Sequence, residues 1–238
     1  KGDATSWAKK APANEWIPAG TFSGTFDGQM HTISGVYVSG EYTLGLFTRT
    51  TSLSTIKNLS LKNSYFYASG SEESQASFVG SIVGRGCGVI DTVYSNAIVS
   101  GGKAGVGGFI GQMNVDSKDN RITNCWFDGT VNMLTDDAIK GGGFIGTAVL
   151  GTVTIEHCLN SGTINSEVSK KGAQVGGIVG NVQYNDAKVV TKDTLSVGTV
   201  NTKNQFLVGS ILGTVSKENA ITFNDVYASL GSYDVLIG

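Results

Sequence analysis

The side chains of this sequence that most often perform chemistry are few and far apart. Its two histidines, His31 and His157, lie 126 positions apart. A zinc peptidase needs two histidines four positions apart on one helix, with a glutamate as general base. We therefore predict that both are structural, with His31 hydrogen-bonded to the first turn of the fold and His157 at a corner. No metal site and no cofactor is predicted.

The three cysteines are an odd number and do not make a disulfide framework. Cys125 and Cys158 take equivalent positions in adjacent repeats, close enough in principle to be bridged. The other residues at that position are Leu, Val and Thr, which favours two buried thiols over a disulfide. Cys87, in "RGCGV", is predicted at a turn where it can be exposed.

Carboxylates offer one candidate for acid–base chemistry on a polysaccharide, the pair Asp91 and Glu156. They belong to a position that we expect to face outward: Lys57, Asp91, Thr123, Glu156, Lys192 and Asn224. Alternating signs at this position favour surface ion pairs between adjacent repeats. The two carboxylates are also two repeats apart, about 10 Å at the spacing of paired strands. We therefore predict no catalytic residue, with the pair as the alternative.

A polar loop, "VDSKDN" at Val115–Asn120, offers Asp116, Asp119 and Asn120 as oxygen ligands. It lacks the spacing and the terminal glutamate of a calcium loop. Weak cation binding is one reading, and a solvated loop is the other.

Aromatic residues give the candidate binding site. One outward position reads Ser60, Tyr94, Trp126, Leu159, Leu195 and Tyr227. Tyr94 and Trp126 are predicted to be stacked, partly exposed neighbours, able to hold a sugar ring or an apolar patch of a partner. The alternative is that a loop covers them as a second small core. Tyr65, Phe66 and Tyr67 raise the same question.

These side chains are positioned by repeats. Glycine-rich blocks begin at Gly80, Gly107, Gly142, Gly176 and Gly209, which are 27, 35, 34 and 33 residues apart. A second block begins at Ile56, Ile90, Ile122, Ile155, Thr191 and Phe223, and a third, such as "DGTVN" at Asp128, follows some copies of the second. The glycines are predicted to let strand backbones bend or approach closely at a corner, not to hold phosphate.

The blocks are short, rich in Val, Ile, Thr, Phe and Gly, and separated by turn residues, which indicates strands and not helices. Three strands per ~33 residues fit a β-solenoid better than a propeller blade of ~40 to 50 residues. We predict an all-β, single right-handed parallel β-helix of about six coils, with three short strands per coil. Residues 1–20, with Trp7 and Trp16, are predicted to cap its N-terminal edge, and residues 21–238 to form the solenoid.

Composition narrows the range of partners. The formal net charge of −2 gives no electrostatic reason to expect nucleic acid. No apolar run approaches the ~20 residues of a membrane-spanning helix, so no membrane insertion is predicted.

The segment "FSGTFDGQMHTISGVYV", Phe22 to Val38, resembles the opening turn of bacterial surface proteins with GLUG-type repeats. That opening turn has the pattern F-x-G-x-F-D-G-x-x-H-x-I, and it is matched here by Phe22, Gly24, Phe26, Asp27, Gly28, His31 and Ile33. The later blocks match the repeats. Such repeats occur in adhesin-like surface proteins and in non-catalytic parts of immunoglobulin A1 metallopeptidases. This sequence has no H-E-x-x-H, so the resemblance implies no protease site.

The resemblance implies a non-catalytic, extracellular module of a bacterial surface, adhesive or structural, with a host glycan or protein as ligand. Two alternatives stay open: a polysaccharide-active β-helix enzyme, and an accessory domain of a larger immunoglobulin A1 peptidase-like protein. The sequence ends at "YDVLIG" with no evident cap, so a further domain or chain is expected to cover that edge of the solenoid.

Overall fold

The computed structural model describes residues 3–70, 77–101, 103, 105–114, 120–137, 140–169, 172–184, 186–203, 207–216 and 220–229. It confirms an all-β parallel solenoid. The solenoid has about five turns with partial turns at both ends, where about six were predicted. The register places Ile122 opposite Ile90 on one side and opposite Ile155 on the other, 32 and 33 residues away in sequence. A short 3₁₀ helix, Ala4–Ser6, precedes the first strand.

The first three turns are formed by β1 (Ala19–Phe22), β2 (Thr25–Ser34), β3 (Tyr37–Gly40), β4 (Phe47–Thr50), β5 (Thr55–Lys62), β6 (Tyr65–Ala68), β7 (Phe78–Gly80), β8 (Val83–Gly86), β9 (Val89–Ser95) and β10 (Ile98–Gly101). The next two are formed by β11 (Gly105–Gly107), β12 (Ile110–Met113), β13 (Asn120–Thr123), β14 (Trp126–Phe127), β15 (Thr130–Met133), β16 (Lys140–Gly142), β17 (Ile145–Ala148), β18 (Gly151–Glu156), β19 (Leu159–Asn160) and β20 (Thr163–Ser166). The last are formed by β21 (Gln174–Gly176), β22 (Val179–Val182), β23 (Ala187–Ser196), β24 (Thr199–Thr202), β25 (Val208–Gly209), β26 (Leu212–Val215) and β27 (Ile221–Ala228).

The described strands form four parallel sheets along the solenoid. Sheet A has the order β1-β4-β8-β12-β17-β22-β26, and sheet C has the order β3-β6-β10-β15-β20-β24. Sheet D has the order β7-β11-β16-β21-β25. Sheet B contains β2, β5, β9, β13 with β14, β18 with β19, β23 and β27. In each complete turn the chain passes through sheets D, A, B and C in that order.

The strand count per turn differs from the predicted three, because each glycine block spans a corner between two strands. In the block at Gly107, β11 ends at its first residue and β12 begins at Ile110. A Cβ at Gly107 would overlap the carbonyl oxygen of Ile110 and would lie 2.7 Å from the amide nitrogen of Gly146. The predicted close approach of backbones is confirmed. Each glycine block contributes to two strands, one in sheet D and the next in sheet A.

A single continuous core fills the solenoid. Its largest fully buried side chains are Phe66, Phe109, Phe127, Phe144, Ile56, Leu61, Ile82, Met113, Ile122, Met133, Ile145 and Ile155. The residue two places after each Ile-type position turns the chain within sheet B. It has a positive φ, between 42° and 54°, in every turn: Asn58, Thr92, Asn124, His157, Asp193 and Asp225. The predicted corner is confirmed, and it is why the side chains at the first and fourth positions of this block both point inward.

The N-terminal segment lies against the side of sheet C. Trp7 is buried there, and the backbone N–H of Trp16 donates to the carbonyl oxygen of Tyr37 on the first strand of that sheet. The Trp16 side chain itself is 47% exposed. The boundary at residue 20 stays a prediction, since β1 begins at Ala19. Residues 230–238, with the predicted uncapped end, lie outside the described part of the chain.

Candidate binding surface

The outward face of sheet B carries the two aromatic residues that the sequence singles out. Trp126 pairs with Tyr94 in the turn before and with Leu159 in the turn after. The ring centroids of Tyr94 and Trp126 are 5.0 Å apart, at an interplanar angle of 71°. Tyr94 and Trp126 are neighbours, as predicted. The predicted parallel stacking is wrong, because the two rings meet edge to face. Trp126 is 43% exposed, so the described chain does not cover it.

A carboxylate is held beside these rings. The indole N–H of Trp126 donates to the Ser161 hydroxyl (2.7 Å), which in turn donates to Oδ1 of Asp128 (2.7 Å). The Tyr94 hydroxyl lies 3.5 Å from Oδ2 of the same carboxylate. Partial burial, and then the negative charge of Asp128, raise the pKa of Tyr94. This hydroxyl therefore stays protonated at neutral pH and remains a hydrogen-bond donor.

A cation completes this group. The ammonium of Lys62 lies 5.4 Å from the centroid of the Tyr94 ring, within the range of a cation–π contact. Lys62, Asp128 and Ser161 were not predicted from the sequence. Asp128 and Ser161 begin successive copies of the third repeat block, and that equivalence was a signal that they share one face. Lys62 had no such signal, because its contact depends on how the end of β5 lies beside β9.

Three more apolar side chains continue the row. Leu159 pairs with Leu195, and Leu195 pairs with Tyr227. Leu195 is 39% exposed and Tyr227 is 65% exposed. We call the five residues Tyr94, Trp126, Leu159, Leu195 and Tyr227 the apolar column. Over five successive strands it is about 19 Å long at 4.8 Å per strand.

In the second aromatic group, Tyr65, Phe66 and Tyr67, the first two side chains are buried. Tyr65 is 4% exposed and Phe66 is fully buried in the core. Tyr65 stacks on Tyr37, with centroids 5.8 Å apart and an interplanar angle of 9°. Trp7 closes over this pair in a separate small cluster. For Tyr65 the covered alternative is therefore confirmed.

The carboxylate pair does not converge on an acid–base site. The predicted neighbours are confirmed, because Lys57 pairs with Asp91 and Glu156 pairs with Lys192 on adjacent strands. The predicted ion pairs between them are wrong: Nζ of Lys57 lies 3.5 Å from Oδ2 of Asp27 instead, and Glu156 and Lys192 form no ion pair with each other. Thr123 stands between the two carboxylates, and its hydroxyl donates to Asp91 at 2.7 Å. Burial acts to raise the pKa of Asp91, but hydrogen bonds from Thr123, Asn124 and Thr92 outweigh it and lower that pKa. A lowered pKa is the reverse of what a general acid needs.

The histidines have different surroundings. The ring of His157 lies at its corner with Nε2 3.6 Å from Oδ2 of Asp193, and Glu156 is close by. Exposed groups of this kind are common without a metal ion. His31 is exposed on β2 opposite Leu59, and its ring has no partner among the described residues, so its predicted hydrogen bond is wrong.

Asp27 stabilises the first turn instead. Its Oδ1 accepts hydrogen bonds from the Gln29 backbone N–H (2.9 Å) and the Asn58 amide (3.0 Å). These two bonds, the one from Asn58 first, lower the pKa of Asp27.

Two of the three cysteines are buried thiols, as predicted. Cys125 and Cys158 are free and lie in the core, and burial, followed by the neighbouring Cys158, raises the pKa of Cys125 far above its usual value. Cys87 is also a thiol and is half-buried after the end of β8, where its Sγ lies 4.0 Å from the carbonyl oxygen of Thr50.

The predicted polar loop is described only at its last residue. Asn120 is 1% exposed; its Oδ1 accepts from the Gly88 backbone N–H at 2.8 Å. Its amide therefore supports the stacking of turns, and its interpretation as a cation ligand is wrong. Residues 115–119, which include Asp116 and Asp119, lie outside the described residues.

The fold and this surface define a parallel β-solenoid repeat protein with an apolar column on one flank. No helix in the described part of the chain is long and apolar enough to cross a membrane. No family model matches the chain, and no curated protein matches its sequence.

A solved structure does resemble it: a crystal structure described as a putative immunoglobulin A1 protease from Bacteroides ovatus. The TM-score is 0.67 and the sequence identity is 21%, over 85% of this chain and 59% of that one. The chain therefore spans less than two thirds of that protein's length. At this identity the similarity shows a shared fold alone.

Proposed function

We propose that this chain is a non-catalytic binding module of a bacterial cell-surface protein, and that it holds a glycan against the apolar column. The observation that carries the proposal is the exposed indole of Trp126 beside the positioned carboxylate of Asp128. An aromatic face binds the apolar side of a sugar ring, while a fixed carboxylate accepts hydrogen bonds from its hydroxyls.

The shape of the column favours an extended ligand. Its members repeat at the strand spacing of about 4.8 Å on a rigid sheet, so they form a straight row and not a closed pocket. A polymer lying along the row contacts several members at once, and weak contacts then add up to a useful affinity. The leucines also suit a protein partner, and the experiment below separates the two ligands.

The non-catalytic part of the proposal rests on the carboxylates of sheet B. Asp91 is hydrogen-bonded to Thr123 and Asn124, and its pKa is lowered, while Glu156 is two turns away. A glycoside hydrolase would need two such groups converging on one bond. The shared fold with the Bacteroides ovatus protein supports a role as an accessory domain in a longer surface protein.

The test is a glycan-array screen of the purified chain, with a reducing-end assay on each glycan that binds. We expect binding without new reducing ends, and a loss of at least tenfold in affinity for Trp126→Ala, about 1.4 kcal/mol or more. Trp16→Ala is the matched control, because Trp16 is similarly exposed at 47% but lies in the N-terminal segment.

Each other outcome is informative. New reducing ends would favour the enzyme and would direct mutagenesis to Asp91 and Glu156. An array without binding, followed by capture of a defined host protein that depends on Trp126, would replace the glycan with a protein ligand. Equal losses for Trp126→Ala and Trp16→Ala would remove the apolar column as the binding surface.

A further inference from the structure

Two arginines occupy adjacent strands of sheet A at directly paired positions. Arg49 on β4 is opposite Arg85 on β8. Like charges placed opposite each other on neighbouring strands repel and destabilise the pair. The whole chain carries a formal charge of −2, so this pair is a local concentration of positive charge and not part of a basic protein.

Neither guanidinium is neutralised by the described chain. The ion pairs there join Lys57 to Asp27, His157 to Asp193 and Lys203 to Glu167, and none involves Arg49 or Arg85. Each guanidinium also lacks a hydrogen-bond acceptor among the described residues. Arg49 is exposed and Arg85 is half-buried. Their donors are therefore available to a ligand.

A groove of about 240 Å³ lies at the ends of β4, β8 and β12, and both arginines line it. Its described lining contains no carboxylate and no aliphatic or aromatic side chain; beyond the two arginines it includes Thr51, Ser52, Cys87 and Asn114. The backbone N–H of Asn114 donates to Gly86, while its side-chain amide has no described partner. The groove thus combines two cations with neutral polar groups.

We propose that this groove binds an oxyanion, the sulfate ester or the carboxylate of an acidic sugar unit. Arg49 and Arg85 are paired on strands about 4.8 Å apart, so their two side chains can reach the oxygens of one such group. Arginine donates in parallel pairs to oxyanions, and these charge-assisted hydrogen bonds are roughly twice as strong as neutral ones. The small volume and the polar lining suit a single sugar unit, whose hydroxyls can hydrogen-bond to the neutral polar groups beside the arginines.

This site is independent of the apolar column. The arginines lie on sheet A, whereas Tyr94 and Trp126 lie on sheet B. Trp126→Ala is therefore expected to leave the oxyanion affinity unchanged, and removal of the arginines is expected to leave binding of a neutral glycan to the column unchanged. Failure of one proposal can be distinguished from failure of the other.

The first experiment is isothermal titration of the chain with glucose 6-sulfate, with glucuronate and with glucose as the neutral control. We expect one or both anionic sugars to bind more tightly than glucose, with an affinity that falls as salt is added. Tighter binding of glucose 6-sulfate would identify a sulfate ester as the ligand group, and tighter binding of glucuronate a carboxylate. If neither anion bound better than glucose, the proposal would be overturned.

The variants test which charges are responsible. Arg49→Ala with Arg85→Ala is expected to weaken anion binding at least tenfold, and Arg49→Lys with Arg85→Lys to keep only part of it, since lysine lacks the paired donors. Lys9→Ala with Lys10→Ala removes the same two charges from the exposed N-terminal segment and is the matched control. An equal loss in that control would show non-specific attraction and would also overturn the proposal.

Cys87 supplies a measurement that needs no ligand, because it lines the groove while Cys125 and Cys158 are buried. Alkylation by iodoacetate and by iodoacetamide compares an anionic reagent with a neutral one at the same thiol. We expect the ratio of the iodoacetate rate to the iodoacetamide rate to fall several-fold in the variant with Arg49→Ala and Arg85→Ala. The same ratio is expected to be unchanged in the control with Lys9→Ala and Lys10→Ala. Cys87→Ser confirms which thiol reacts, and an unchanged ratio in the double alanine variant would contradict a positive groove.

Discussion

Two aromatic pairs lie on the outer faces of the same solenoid, and they differ in whether other parts of the chain cover them. Tyr37 and Tyr65 on sheet C are 8% and 4% exposed, beneath the indole of Trp7. Tyr94 and Trp126 on sheet B are left uncovered, with Trp126 43% exposed. Both pairs join paired strands of adjacent turns. The difference lies in another part of the chain, since the N-terminal segment passes over one pair and no described segment passes over the other.

The outward side chains of a solenoid can therefore have either of two roles. The core positions are fixed by the repeat, but an outward aromatic is a second core if chain covers it and a binding surface if none does. The covered pair is also tied down by polar contacts, because the Ala4 backbone N–H donates to the Asn63 side chain at 3.0 Å. The uncovered pair is positioned by Ser161 and Asp128, which leave the face of the indole free.

Removing the Trp7 side chain, which covers Tyr37 and Tyr65, is expected to have the largest effect on the free energy of unfolding. Trp7→Ala deletes a buried indole, which typically costs about 3 kcal/mol or more of the free energy of unfolding. The loss cannot exceed the docking free energy of the N-terminal segment, because beyond that point the segment detaches. Urea denaturation gives the total, and hydrogen exchange of β3 shows whether the loss is local.

Trp16→Ala is the control for that change, since its side chain is largely exposed, and we expect it to alter the free energy of unfolding by less than about 0.5 kcal/mol. A similarly small loss for Trp7→Ala would mean that the N-terminal segment contributes little to covering sheet C.

The same substitution made in each pair sharpens the comparison. Tyr65→Ala is expected to cost about 2 to 3 kcal/mol, because the ring is buried against Tyr37 and Trp7. Tyr94→Ala is expected to cost less than about 1 kcal/mol, since its ring is partly exposed and meets Trp126 at one edge. Both values come from urea denaturation of the two variants, and equal costs would contradict the distinction between a covered and an open pair.

Alkaline pH gives the smallest expected effect. Burial raises the pKa of Tyr65 above its usual value near 10, so the unfolded chain loses this proton first as pH rises. The contribution to stability is complete below pH ~10 and is lost as pH rises through the raised pKa. Tyr65→Phe is therefore expected to lose less stability between neutral and alkaline pH than the unchanged chain. Parallel curves for the two proteins would show that this hydroxyl is not shielded.

Much of the fold could be predicted from the sequence because a solenoid turns a repeat into a column. The equivalence of Ile90, Ile122 and Ile155 predicted their pairing, and the short polar residue two places later predicted the left-handed corner at Thr92 and Asn124. The split of each glycine block across two sheets was not predicted. Whether two glycines bend one strand or separate two depends on how closely the backbones of neighbouring turns approach.

The candidate site was predicted only in part. The outward direction of Tyr94 and Trp126 followed from the repeat, but their edge-to-face geometry and their contacts with Asp128 and Ser161 depend on side-chain packing across three turns. The groove beside Arg49 and Arg85 was missed, although each arginine lies two places after a paired residue, Phe47 or Val83, and this equivalence was a signal that the two share one face.

The sequence by itself therefore determined the solenoid, its period and the direction in which most side chains point. These follow from local periodicity and from the dihedral preferences of single residues, which act within one turn and are copied into the next. The tertiary structure alone decided which outward residues are covered and which charges lack a neutralising partner in the described part of the chain. Both depend on the path of non-repeating segments and on contacts between strands far apart in sequence, and no repeat unit encodes them.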